Sequence, residues 1–203
     1  MGQTSKAEIA TQTQPFATQR MTIMQSTKFL FATVIAASFA TMTFAAGSDD
    51  TQPPVKTETT QKCKDGKVWD EKKAKCVEAQ SGALTDDDIY KAARELAYDG
   101  QYSNALHVLD AAANQNDPRI LNYKGFSLRK SGHYEQGMVY YQAALKIDPN
   151  YSLARSYMGQ AMIAEGDFVG AKEQLIQIAD RGGKDTWAYT ALNMALHGEA
   201  TTW

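Results

Sequence analysis

Asp99-Gly100-Gln101-Tyr102, Ser131-Gly132-His133-Tyr134 and Glu165-Gly166-Asp167-Phe168 are three copies of one quartet, x-Gly-x-aromatic. The first two glycines stand 32 residues apart and the second two 34. A recurrence of about 34 residues around such a turn points to stacked helix–turn–helix units. Before each turn lies a stripe at the helical spacing i, i+3, i+4, i+7. The stripes are Ile89, Ala92, Ala93, Leu96; Leu121, Lys124, Gly125, Leu128; and Arg155, Met158, Gly159, Met162. The third member of each (Ala93, Gly125, Gly159) is small enough for a neighbouring helix to come close. After each turn runs a second stripe: Ala105, Leu109, Ala112; Gly137, Tyr141, Ala144; Ala171, Leu175, Ile178. Each quartet's glycine falls where the first helix must stop, and Gly tolerates the left-handed conformation that such a stop often needs. Unrelated helices in an ordinary antiparallel bundle would not place Gly, aromatic and Ala at matched offsets.

On these residues the chain resembles a tetratricopeptide-repeat protein over about residues 84–200. Lys124-Gly125 stands at the family's Leu-Gly position and Leu128 at its Tyr position. The unit 118–151 closes with Ala144-Leu145-Lys146-Ile147-Asp148-Pro149-Asn150, close to the family pattern for the end of a repeat. The other units are 86–117, where Asn116-Asp117-Pro118 comes two residues early, and 152–185, where Arg181-Gly182-Gly183-Lys184 replaces the proline turn. One more helix is expected over 186–200, with Trp187, Ala191 and Met194 or Ala195 on its buried side. An end unit needs such a cap because no neighbour covers its core face. The resemblance implies an all-α, right-handed superhelix of three helix pairs and a capping helix, acting as a non-enzymatic binder of a protein or peptide.

No acidic residue occurs between Glu8 and Asp49, and Lys28 is followed by an apolar run, Phe29 to Ala46, relieved only by Thr and Ser. A positive start, an apolar middle and a small-residue exit describe a secretory signal peptide, placed at 21–46 and starting from Met21 or Met24. Residues 1–20 then form an upstream stretch outside the translated protein. The competing reading is an uncleaved membrane anchor, since the run is nearly long enough to span. The Ala-rich exit favours cleavage, which leaves an exported, periplasmic protein with no stable membrane anchor. Residues 47–61, rich in Thr, Gln and Pro, read as a disordered linker.

In an oxidising compartment the only two cysteines, Cys63 and Cys76, are expected to pair. A bridge over so short a loop stabilises by about 3 kcal/mol in the chain-entropy model. Residues 62–78 read as a hairpin, with Lys67-Val68-Trp69 as one arm, a turn near Asp70 to Lys73, and Lys75-Cys76-Val77 as the other. The segment resembles disulfide-closed Cys…Gly-x-Val-Trp-Asp…Cys-Val hairpins that precede helical or other domains in exported bacterial proteins. Trp69 among lysines is either the hairpin's own core or a platform for a sugar or anionic polymer. The second case makes a different function class: a glycan-binding module with the repeats as its platform.

Catalytic and metal signatures are thin. His107, His133 and His197 have no Cys or Ser nucleophile at motif spacing, and Asp86-Asp87-Asp88 lacks the glycine and distal glutamate of a calcium loop. Those aspartates suit the positive end of the first repeat helix instead. Structural zinc would need four ligands, and the two cysteines have no further partners nearby. No cofactor and no metal is expected. The formal net charge of −2, without clustered basic residues, argues against nucleic acid.

By family geometry the first helix of each pair lines a concave groove. The groove positions are then Tyr90, Arg94 and Tyr98; Arg119, Asn122, Phe126, Arg129 and Lys130; and Ser156, Gln160 and Ile163. Arg holds carboxylates through a bidentate fork, and Tyr and Phe supply stiff apolar area. An extended segment carrying acidic and apolar side chains would suit that lining. The family's C-terminal carboxylate clamp is not reproduced, because Tyr90, Arg94, Leu153 and Tyr157 occupy its positions and Asn122 matches only loosely.

Overall fold

The computed structural model describes residues 54–199. It contains a one-turn helix α1 (Glu58–Gln61) and a two-stranded antiparallel hairpin, β1 (Val68–Asp70) and β2 (Lys75–Val77). A 3-10 turn (Ala79–Ser81) follows, and then seven longer helices: α2 (Asp86–Tyr98), α3 (Tyr102–Leu109), α4 (Pro118–Lys130), α5 (Tyr134–Ile147), α6 (Ser152–Ala164), α7 (Phe168–Asp180) and α8 (Trp187–Leu196). The helices pack as stacked pairs: α2 on α3, α4 on α5, α6 on α7. Successive first helices (α2, α4, α6, α8) also touch in order, and each second helix meets the helix that follows it. The architecture is tetratricopeptide-like, with a small hairpin closed by the Cys63–Cys76 disulfide, Cα atoms 5.6 Å apart.

Local sequence sets the ends of these helices. Thr85 caps α2 in a reciprocal box with Asp88, and Asp117 caps α4 ahead of Pro118 at the first helical position. Asp167 and Thr186 cap α7 and α8. At the other end of α2, the Gly100 amide bonds the Ala97 carbonyl and the Gln101 amide bonds that of Leu96. That is a Schellman stop, with Gly100 at φ 80°. The same pair of bonds recurs at Gly132, Gly166, Gly182 and Gly198, so two stops exist beyond the three quartets. The last two lack the aromatic that marks the others.

The small residues in the stripes sit at close crossings. A Cβ on Gly125 would lie 2.9 Å from the Tyr141 ring, one on Gly137 2.8 Å from the Gly125 carbonyl, and one on Gly159 2.8 Å from Leu192. The last contact decides the face of the capping helix. Ala188, Ala191 and Leu192 are buried there, while Trp187, Met194 and Ala195 are only half-buried. Ala191 is buried as expected, but its companions on that face are Ala188 and Leu192, because Leu192 fits the space that Gly159 leaves open.

The linker expectation fails over residues 54–61; residues 47–53 lie outside the described part of the chain, as do 1–20 and the signal segment 21–46. Thr57 and Thr60 each give a backbone N–H and a hydroxyl to the carboxylate of Glu95, a buried residue of α2. Lys56 pairs with Asp99 at the end of the same helix. Composition alone marks Thr-rich chain as spacer; four bonds to one buried carboxylate make it structural. The hairpin continues the attachment. Gly66 lies against the His107 ring of α3, Gln80 donates to the His107 carbonyl, and Val68 and Ala79 join the repeat core. Residues 54–81 therefore cap the first helix pair from both sides, as α8 caps the last.

Candidate functional site

The first helices bring an array of aromatic rings together. Tyr90 meets Tyr123 edge-on at 5.7 Å between centroids, Tyr98 stacks on Phe126 at 5.7 Å, and Phe126 lies 4.9 Å from Tyr157. Tyr123 touches both Phe126 and Tyr157, and Tyr102 reaches Phe126 from the start of α3. Such pairs add about 0.5–1.5 kcal/mol each beyond the area they bury. The Tyr98 and Tyr157 hydroxyls are hydrogen-bonded to each other across α2 and α6. Burial pushes the Tyr157 phenol well above its ordinary range, with the neighbouring Tyr123 and Tyr98 adding to the shift.

Cations border this array. The Arg119 guanidinium lies 4.7 Å over Tyr90, Arg94 5.6 Å over Tyr98, and Arg129 and Lys130 5.5 and 5.9 Å over Phe126. Two of them are committed within the fold. Arg119 pairs with Asp117 at 2.8 Å and Asp87 at 3.1 Å, and those partners raise its pKa further. Arg94 donates Nε to the Tyr123 hydroxyl at 3.0 Å.

The expected groove residues thus divide. Tyr90, Arg94, Asn122, Phe126 and Ser156 were expected on an exposed lining, and all are buried, at 9 % exposure or less. The reason is mutual packing of rings contributed by three successive first helices. Asn122 gives its amide to the Tyr151 hydroxyl at the long distance of 3.5 Å, and its Oδ1 has no acceptor role filled. Tyr98, Arg119, Arg129, Gln160 and Ile163 are half-buried and Lys130 is exposed. Gln160 donates to Ser156 at 3.2 Å. The accessible part of the expected site is therefore the stretch from Tyr98 through Arg129 and Lys130 to Gln160. Tyr123 was missed, although its spacing from Phe126 (i, i+3) places both on one side of α4.

Other candidates find local roles. Trp69 is half-buried, with the Lys62 ammonium 5.1 Å over its ring. Asp86 accepts the Ala113 and Asn114 amides, Asp87 pairs with Lys91 and Arg119, and Asp88 completes the cap of α2. His107 abuts Gly66, His133 meets Ser131, and His197 bonds the Asn193 carbonyl.

Clefts among the described residues lie away from this stretch. One of about 440 Å³, between α3 and α5, is lined by Leu106, Leu128, Val139 and Tyr140 and floored by the Lys124–Asp110 ion pair at 2.6 Å. The Lys124 ammonium is also held by Gln115 at 2.7 Å. Another, about 380 Å³, lies between residues 54–57 and α2.

Compared with known proteins, residues 128–193 match the family model of the tetratricopeptide repeat. The match runs from the last turn of α4 into α8. No solved structure matches the chain.

Proposed function

We propose that this protein is a non-enzymatic scaffold or assembly factor of the cell envelope, binding a protein or peptide through the face carried by the first helices of its repeats. The observation behind the reading is the stacked-pair fold, whose repeats generally serve protein interaction, together with the cationic and aromatic rim at Tyr98, Arg129 and Lys130. Export through a cleaved signal peptide at 21–46 supplies the envelope location, and the Cys63–Cys76 bridge is in keeping with an oxidising compartment. An acidic segment suits the rim because the cations there can meet carboxylates.

In-cell crosslinking followed by mass spectrometry tests the reading. The parent is run beside Arg129→Glu/Lys130→Glu, which reverses the accessible charge and leaves the buried Arg94 in place. A partner captured by the parent and lost from the variant supports the reading. The same partner captured equally by both removes the rim as the binding face. Fractionation of the periplasm checks the location independently.

A further inference from the structure

We propose that Arg129 and Lys130, side by side at the end of α4 over the Phe126 ring, form a subsite for an Asp or Glu side chain of a bound peptide, together with the aromatic or branched residue next to it. The subsite deepens the peptide-binding reading above and rests on it.

Charge that the fold leaves unanswered is the first support. Other half-buried or buried cations of the described residues have acceptors: Arg119 has two aspartates, Lys124 has Asp110 and Gln115, and Arg155 has the Pro149 carbonyl and Gln174. Arg129 and Lys130 have no carboxylate partner among those residues, and the buried Nε of Arg129 has no acceptor at all. Burial holds the Tyr141 phenol above its ordinary range, and the Arg129 guanidinium beside it pulls the other way. A guanidinium needs its donors met when it leaves water.

The second support is the neighbourhood. Two like charges share one ring, and burial together with Arg129 holds the Lys130 ammonium below its ordinary range. A carboxylate beside them would relieve the repulsion. Half-buried Tyr98 is stacked on the same ring, and Tyr157 meets it from α6. One turn beyond Tyr157 comes half-buried Gln160, an amide able to bond an extended peptide backbone. The subsite does not coincide with the family's carboxylate clamp, whose positions here fall at Tyr90, Arg94, Asn122, Leu153 and Tyr157, all buried.

The test is selection from a random dodecapeptide library displayed on phage, panned against the intact chain and against Arg129→Gln/Lys130→Gln. The expected result is enrichment by the parent of peptides with Asp or Glu beside an aromatic or branched residue, and loss of that enrichment by the variant. A synthetic peptide from the selection should bind the double variant at least about tenfold more weakly, as the loss of a charge-assisted contact demands. It should bind more weakly in 0.5 M than in 0.05 M salt, roughly as screening of exposed charge predicts. Lys130→Gln alone, at an exposed position, should show part of the loss with an unchanged circular-dichroism spectrum. Enriched peptides without acidic residues, or equal binding by parent and variants, would overturn the subsite and leave the peptide-binding reading standing. No enrichment by the parent would overturn both.

Discussion

At the crossing of α4 and α5, Gly125 and Gly137 put two backbones against each other with the Tyr141 ring alongside. Gly125→Ala improves intrinsic helix propensity by about 1 kcal/mol, but its methyl would meet the ring at 2.9 Å and the Gly137 carbonyl at 3.0 Å. Overpacking wins because one of those neighbours is backbone. The expected result is a net loss of about 1–3 kcal/mol in urea unfolding, whereas Gly→Ala in an open helix would gain stability. Tyr141 itself is fully buried, its hydroxyl lacks a partner, and burial pushes its pKa up to about 12. Above pH 10 the unfolded chain releases that proton while the folded chain keeps it. Stability is therefore full below pH 10 and falls by about 2–3 kcal/mol as the pH rises to 12. Tyr141→Phe removes the group that titrates, so the urea midpoint of the variant should fall less between pH 9 and 12. At pH 7 it should match or exceed the parent, since no hydrogen bond is lost. The small residues at these crossings were legible because helical spacing puts them on the packed face. Lys124 on the packed stripe of α4 was not explained by spacing, because the acceptors that make it tolerable lie 14 and 9 residues away.

Helices and hairpin differ in how openly they are written. Most long helices carry a local start or stop: a capping Thr or Asp at four of the seven, and a left-handed glycine with the paired turn bonds at five, while α3 and α5 have neither. These signals are local, so the glycine turns after α2, α4 and α6 are legible in the chain itself. The attachment of residues 54–61 has no local signature, because the Thr57–Glu95 and Thr60–Glu95 bonds span 38 and 35 residues. The aromatic array suffers the same way: periodicity assigns a residue to a helix face, but only the packing of α2, α4 and α6 decides whether that face is covered. The hairpin yields the prediction for this scale. Cys63→Ser/Cys76→Ser should lower stability by about 3 kcal/mol, read as a fall in the thermal midpoint. Glu95→Gln keeps the disulfide but weakens the charged acceptor for Thr57 and Thr60. It should raise amide exchange in 54–61 while leaving α4 to α8 protected; unchanged exchange there would refute the attachment.

Across the whole molecule the stack is a line of units in which each helix pair rests on its neighbours, so stability is set by interfaces and by what happens at the two ends. Those ends are not alike. The last, α8, is held by packing against α6 and α7. The first is gripped on α2 through Glu95 and Asp99 and on α3 through His107, by a segment whose middle is a covalent ring. Melting in such an array has a direction. It should enter at α8 and run toward α2, and hydrogen exchange should record that order as protection rising from the last pair to the first. Reduction of Cys63–Cys76 opens the ring, and the direction should go with it: both ends then fray alike, and a chain that came apart from one side comes apart from two.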